Sequence, residues 1–115
     1  MLDILRIKLD HDELMSRVRT HQCQPDRIDL PAELHGTFDV AFAIFVLHEV
    51  PDLKQYFREI TLLLKPEGTF FYTEPLFIVS GKEFTENLAL LEKAGLRVED
   101  RYWYFLNRAA VLRKE

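Results

Sequence analysis

Apolar residues change period several times along the chain, and each change marks an element. Over residues 2–9, Leu2, Leu5 and Leu9 recur on one side, with Ile4 beside them, at helical spacing. No N-cap residue precedes this helix, so it reads as a helix entered midway or as a frayed N-terminal one. Residues 17–24, with Val18 and Thr20 in loose alternation, predict a short strand. Pro25 to Pro31 is a loop, and Gly36 punctuates the chain before the next element. Phe38, then Val40 through Leu47, form a nearly unbroken apolar run. That is the pattern of a strand covered on both faces in a parallel sheet.

The second half is more regular. From Asp52 to Lys65 the residues Leu53, Tyr56, Phe57, Ile60, Leu63 and Leu64 recur at three and four, predicting an amphipathic helix. Pro51 suits its entrance, and Pro66 with Gly68 stops it. Thr69 to Thr73 reads as a second buried strand closed by Glu74-Pro75. Ser80-Gly81-Lys82-Glu83 matches a capping box, opening a helix with Phe84, Leu88 and Leu91 on its inner face and Ala94-Gly95 at its end. Residues 97–105 and 108–113 predict strands joined by a tight turn at Leu106-Asn107, paired antiparallel. The order helix, strand, strand, helix, strand, helix, strand, strand predicts an α/β sheet with helices on both faces and an antiparallel far edge.

Composition narrows the class. A chain of 115 residues, 48% hydrophobic and 30% charged, is sized for one soluble domain, 1–115. Fifteen Lys and Arg against nineteen Asp and Glu give a net charge of −4. That disfavours nucleic-acid binding, which needs a basic surface, while leaving a small cationic ligand open. The single Cys23 excludes an internal disulfide and makes a reduced, cytoplasmic setting the default. No apolar run reaches the roughly 18 residues of a membrane span, and the first residues lack a signal-peptide layout.

Few residues offer chemistry. His11, His21, His35 and His48 contain no i, i+4 pair and no zinc-like spacing, so no metal is expected. Nothing local makes Cys23 a nucleophile. Neither GxGxxG nor GxxxxGK[ST] occurs, which excludes a self-contained nucleotide loop of those kinds. His48-Glu49 follows the longest apolar run, at the strand end where open α/β sheets place ligands. His48 can act there as base, acid or donor. The plainer alternative is that His48 ends the strand and Glu49 caps the next helix. Glu74 holds the matching position after the second buried strand, so two acidic groups can face one cleft or be solvated strand ends. Asp26, Arg27 and Asp29 form a polar loop whose plain reading is turn chemistry.

Gly36-Thr37-Phe38-Asp39-Val40-Ala41-Phe42, Val46-Leu47-His48-Glu49-Val50-Pro51-Asp52 and Leu64-Lys65-Pro66-Glu67-Gly68-Thr69 together resemble class I S-adenosylmethionine-dependent methyltransferases. Glu67 departs from the glycine usual in the last of these turns. Met1 to Arg6 and Asp26 to Pro31 resemble that family's preceding helix and loop, and the elements after Ser80 its closing helix and hairpin. The resemblance thus covers the carboxyl-terminal portion of the family's fold, a truncated Rossmann-like sheet. The first strands, the GxGxG cofactor loop and the acidic residue ending the second strand have no counterpart in these residues.

The resemblance implies S-adenosylmethionine as cofactor. Asp26 would contact the adenine amino group and Arg27 would make the neighbouring backbone contact. Ile44 and Phe45 would line the cofactor pocket, and His48 would face cofactor or substrate as the catalytic candidate. The missing loop implies a chain that is not catalytically competent alone; a non-catalytic dimeric interaction module, or a remnant, is the other reading. A further possibility is that another chain supplies the missing half. The family's sheet order, 3-2-1-4-5-7-6, puts two missing strands beside the apolar run. Either residues 17–24 pair with residues 39–46, or two copies join through the exposed edge or exchange N-terminal segments. A homodimer is the expectation, with no nucleic acid or membrane partner.

Overall fold

The computed structural model describes residues 2–115. Helix α1 spans Leu2–His11 and buries no residue. Strand β1 (Phe38–Ile44) leads through a short 3-10 turn, Leu47–Glu49, to helix α2 (Leu53–Leu63). Strand β2 (Leu64–Pro75), helix α3 (Gly81–Lys93) and strands β3 (Leu96–Tyr104) and β4 (Asn107–Lys114) complete the order. The four strands lie in the order β1-β2-β4-β3, with β1 and β2 parallel and the other pairs antiparallel. This order matches the last four strands, 4-5-7-6, of the sheet order that the resemblance implied.

Local chemistry explains the helices. Asp52 caps α2 by accepting the Gln55 N–H at 3.2 Å. Glu49, three residues earlier, falls in the 3-10 turn instead and is not the cap. Ser80 Oγ accepts the Glu83 N–H at 3.1 Å and opens α3 as the capping box requires.

The core forms where α2 and α3 pack on the same face of the sheet. Tyr72 of β2 touches both: its ring lies 6.4 Å from Phe57 of α2, edge-on, and 4.9 Å from Phe84 of α3, stacked. Phe70, Leu88, Leu91 and Leu112 close around them, all buried. Asn87 donates to the Tyr72 hydroxyl at 3.0 Å, so the one polar atom of this ring is satisfied.

Two expectations need correction. Residues 17–24 are not a strand: after the 3-10 turn Met15–Arg17 the chain makes only an isolated bridge, Gln24 to Arg27. Alternation alone does not make a strand without a ladder partner, and this segment has none. Nor is β1 covered on both faces. Ala43 is buried against the helices, but Val40 and Ile44 are about half exposed and Phe42 is 68% exposed on the opposite face. An unbroken apolar run signals cover on both faces, and here only the α2–α3 side supplies it.

Candidate functional site

Because β1 and β2 run parallel, their carboxyl ends reach the same end of the sheet. The Phe45 N–H donates to the Thr73 carbonyl at 3.1 Å, extending the pairing one residue past β1. Phe45 then adopts φ +59, a left-handed conformation that costs a non-glycine residue roughly 1–2 kcal/mol. The chain leaves the sheet sharply there and enters the 3-10 turn.

That bend brings His48 to Glu74. Nδ1 lies 3.3 Å from Oε1 and 3.2 Å from Oε2, placing the ring nitrogen between the two carboxylate oxygens. Glu74 is wholly buried, while the His48 side chain is 20% exposed. Burial raises the Glu74 pKa above the usual carboxylate value, and the hydrogen bond and charge of His48 pull it part of the way back. With Nδ1–H donating to Glu74, Nε2 is the ring atom left to exchange a proton. Its other neighbour is Glu49 Oε1 at 4.0 Å, on a side chain open to solvent.

Asp26 and Arg27 are elsewhere. They sit side by side on an exposed loop, Asp26 Oδ1 3.9 Å from Arg27 Nε. Ile44 and Phe45 lie at the end of β1, next to Thr73, and are about half exposed. The structure therefore joins His48 to Glu74, and Asp26 to Arg27, as two separate groups.

Two residues of α2 to which the sequence gave no role at the site hold the loop. Glu59 accepts the backbone N–H of Ile28 at 2.7 Å and of Asp29 at 2.8 Å, one on each carboxylate oxygen. The Tyr56 hydroxyl donates to the Gln24 carbonyl at 3.1 Å, and burial, then the neighbouring Cys23, push its pKa up to about 12. The only signal in the sequence was their place on α2, Tyr56 on its apolar face and Glu59 on its polar one.

Between this loop and β1 lies an apolar cleft of about 330 Å³, walled by Ile28, Leu30, Val40, Phe42, Val46 and Leu47, with Tyr56 and Ile60 of α2 behind. Its wall stops at Leu47, one residue before His48. Such a wall suits the flat face of an adenine. It does not fit the rest of S-adenosylmethionine: the lining has one polar side chain, Tyr56, whose hydroxyl is already engaged. No glycine lies between the carboxyl end of β1 and α2. Gly36, with φ +68, is at the opposite end of the strand. Among the described residues no group of three His, Cys, Asp or Glu is placed to hold a metal ion.

The sequence profile of a family described as "Methyltransferase domain" matches residues 1–72. Among solved structures, the chain is similar to a SAM-dependent methyltransferase from Aquifex aeolicus, with TM-score 0.76 and 20% identity over 94% of this chain and 60% of that one. The [4+2]-cyclase SpnF gives TM-score 0.73 and 18% identity over 92% and 60%. An S-adenosylmethionine-dependent methyltransferase from Mesorhizobium loti gives 0.69 and 13% over 90% and 75%. The chain thus spans 60% of the length of the first two. No curated protein matches it.

Proposed function

The chain belongs to the methyltransferase-domain family, and from that premise we propose that it forms the acceptor side of a SAM-dependent methyltransferase site and is not catalytically competent by itself. The resemblance implies S-adenosylmethionine as cofactor. The observation that carries the proposal is the contrast at the end of the sheet: a formed His48–Glu74 pair beside a cleft with no free polar side chain.

In this reading Glu74 fixes the ring orientation and the tautomer of His48. Nε2 then takes a proton from an acceptor presented at the carboxyl ends of β1 and β2. The apolar wall from Ile28 to Leu47 positions a flat group nearby. Asp26 and Arg27 contribute only if the exposed loop is drawn toward that wall. The 115 residues act as one domain, and the lone exposed Cys23 suits a reduced, cytoplasmic setting. Because a cyclase shares the fold, the fold by itself does not name the reaction.

Incubating the purified chain with a radiolabelled methyl donor and small-molecule, nucleic-acid and protein acceptors tests this directly. Background transfer with every acceptor is expected. Turnover by the chain alone, abolished by His48→Ala, would overturn the claim of incompetence. The bare face of β1 favours a second reading, a non-catalytic interaction module, for which His48→Ala leaves partner binding unchanged.

A further inference from the structure

Helices α2 and α3 meet over a groove that shares no residue with β1, with the apolar cleft or with the His48–Glu74 pair. Its volume is about 370 Å³, within the range of small-molecule sites. Three of the residues that line it are cations: Lys54 and Arg58 of α2 and Lys93 of α3. Leu90 and Ala94 form its floor, both partly buried and packed against the core. No acidic residue lines it.

Local chemistry opposes this gathering unless an anion offsets it. Lys54 sits in the first turn of α2, at the positive end of the helix dipole, where a cation is disfavoured. Arg58 follows four residues later on the same side, and like charges at that spacing repel. Packing of the two helices then brings Lys93 to the same groove. No Asp or Glu stands three or four residues from any of the three, so no neighbour one helical turn away neutralises them. Among the described residues none of the three forms an ion pair, and Arg58 Nη2 donates to neutral Gln55 at 3.0 Å. Elsewhere the chain pairs such groups, Lys65 with Asp39 at 3.0 Å and Arg113 with Glu99 at 2.7 Å.

We propose that this groove binds a small organic phosphate, with the phosphate group among Lys54, Arg58 and Lys93 and an apolar body on Leu90 and Ala94. Arg58 offers a planar fork that matches two phosphate oxygens, while Lys54 and Lys93 act as point charges. The patch is too small for a nucleic-acid backbone, which needs a basic surface running along many phosphates. The inference goes beyond the methyl-transfer reading and stands whether or not that reading holds.

Titration of the chain with phenyl phosphate, followed through amide NMR shifts, tests it. Saturable shifts are expected in the first two turns of α2 and the last turn of α3. Inorganic phosphate shifts the same amides but binds about tenfold more weakly, because it has no apolar body to bury. Lys54→Gln, Arg58→Gln and Lys93→Gln each raise the dissociation constant about threefold to tenfold. Lys82→Gln, outside the groove in the first turn of α3, leaves it unchanged. All four side chains are exposed, so the circular dichroism of the fold is retained. Absence of saturation with phenyl phosphate in the tens of millimolar overturns the inference, as does equal affinity for the two probes. Binding that Lys82→Gln weakens as much as the groove substitutions do also overturns it, since that would report only general charge attraction.

Discussion

His48 Nδ1 lies 3.2 Å from Glu74 Oε2, joining residues 26 positions apart, and the carboxylate it meets is wholly buried. The contact exists because β1 and β2 are parallel neighbours whose carboxyl ends coincide. It sets a pH dependence with a definite sign. The folded protein keeps the Glu74 proton to higher pH than the unfolded chain does, because burial raises the folded pKa. Between the two values the native state binds more protons, so this contribution to stability is present under acid and lost as pH rises through the folded value. Denaturant titrations across the acid-to-neutral range check this by comparison with Glu74→Gln. The stability of the variant relative to the parent is expected to climb over that window and level off above it. Parallel curves contradict the assignment.

Removing the other partner has the opposite character. His48→Ala takes away the group that pulls the Glu74 pKa back toward its ordinary value, so that pKa rises further. Where Glu74 is ionised the variant loses about 1–3 kcal/mol, the cost of leaving a buried acceptor unpaired. Under acid the loss shrinks, since a protonated carboxyl is cheaper to bury. Carbon-detected NMR titration of the Glu74 carboxyl reads the shift, and an unchanged titration midpoint contradicts it.

Glu59 fastens the loop that carries Asp26 and Arg27, through two backbone N–H bonds. Glu59→Ala frees both donors, one of them partly buried. The expected cost is about 1–3 kcal/mol, with faster exchange of the Ile28 and Asp29 amide protons. Exchange rates at these two amides that match the parent protein contradict the staple.

The β3–β4 hairpin turns on Phe105 and Leu106, with φ +44 and +66, both side chains open to solvent. A two-residue turn with both angles positive favours Asn-Gly. F105N/L106G should therefore stabilise the fold by about 1 kcal/mol, equivalent to a rise in Tm of roughly 4–8 °C for a domain near this size. A lower Tm in scanning calorimetry means that these side chains are held by contacts the fold depends on.

The same hairpin shows how far the sequence could be read. Its two strands were expected at 97–105 and 108–113 and pair antiparallel as expected, but the turn lies one residue earlier. Phe105 and Leu106 carry no turn chemistry, and only tertiary pairing forces them into that conformation. Helices α2 and α3 were legible because their apolar residues repeat at three and four, and the Ser80 cap of α3 was legible too, whereas Asp52 rather than Glu49 caps α2. The strand expected over 17–24 failed because strands need partners, and none lies beside it.

The site was half legible. His48 and Glu74 each stood out as a strand-end residue, but their pairing follows from sheet adjacency, which periodicity does not encode. Glu59 looked like any solvated helix position, since its partners are backbone groups 30 and 31 residues away. The apolar run of β1 gave the strand correctly and its surroundings incorrectly. A residue pattern reports what a strand tolerates on each face, not whether a neighbour is there.

The central claim is that this chain holds the acceptor side of a methyl-transfer site without a cradle for the cofactor. Calorimetric titration of the purified chain with S-adenosylhomocysteine tests it most directly. The account predicts no saturable heat through millimolar ligand; a stoichiometric isotherm with a micromolar Kd would contradict it.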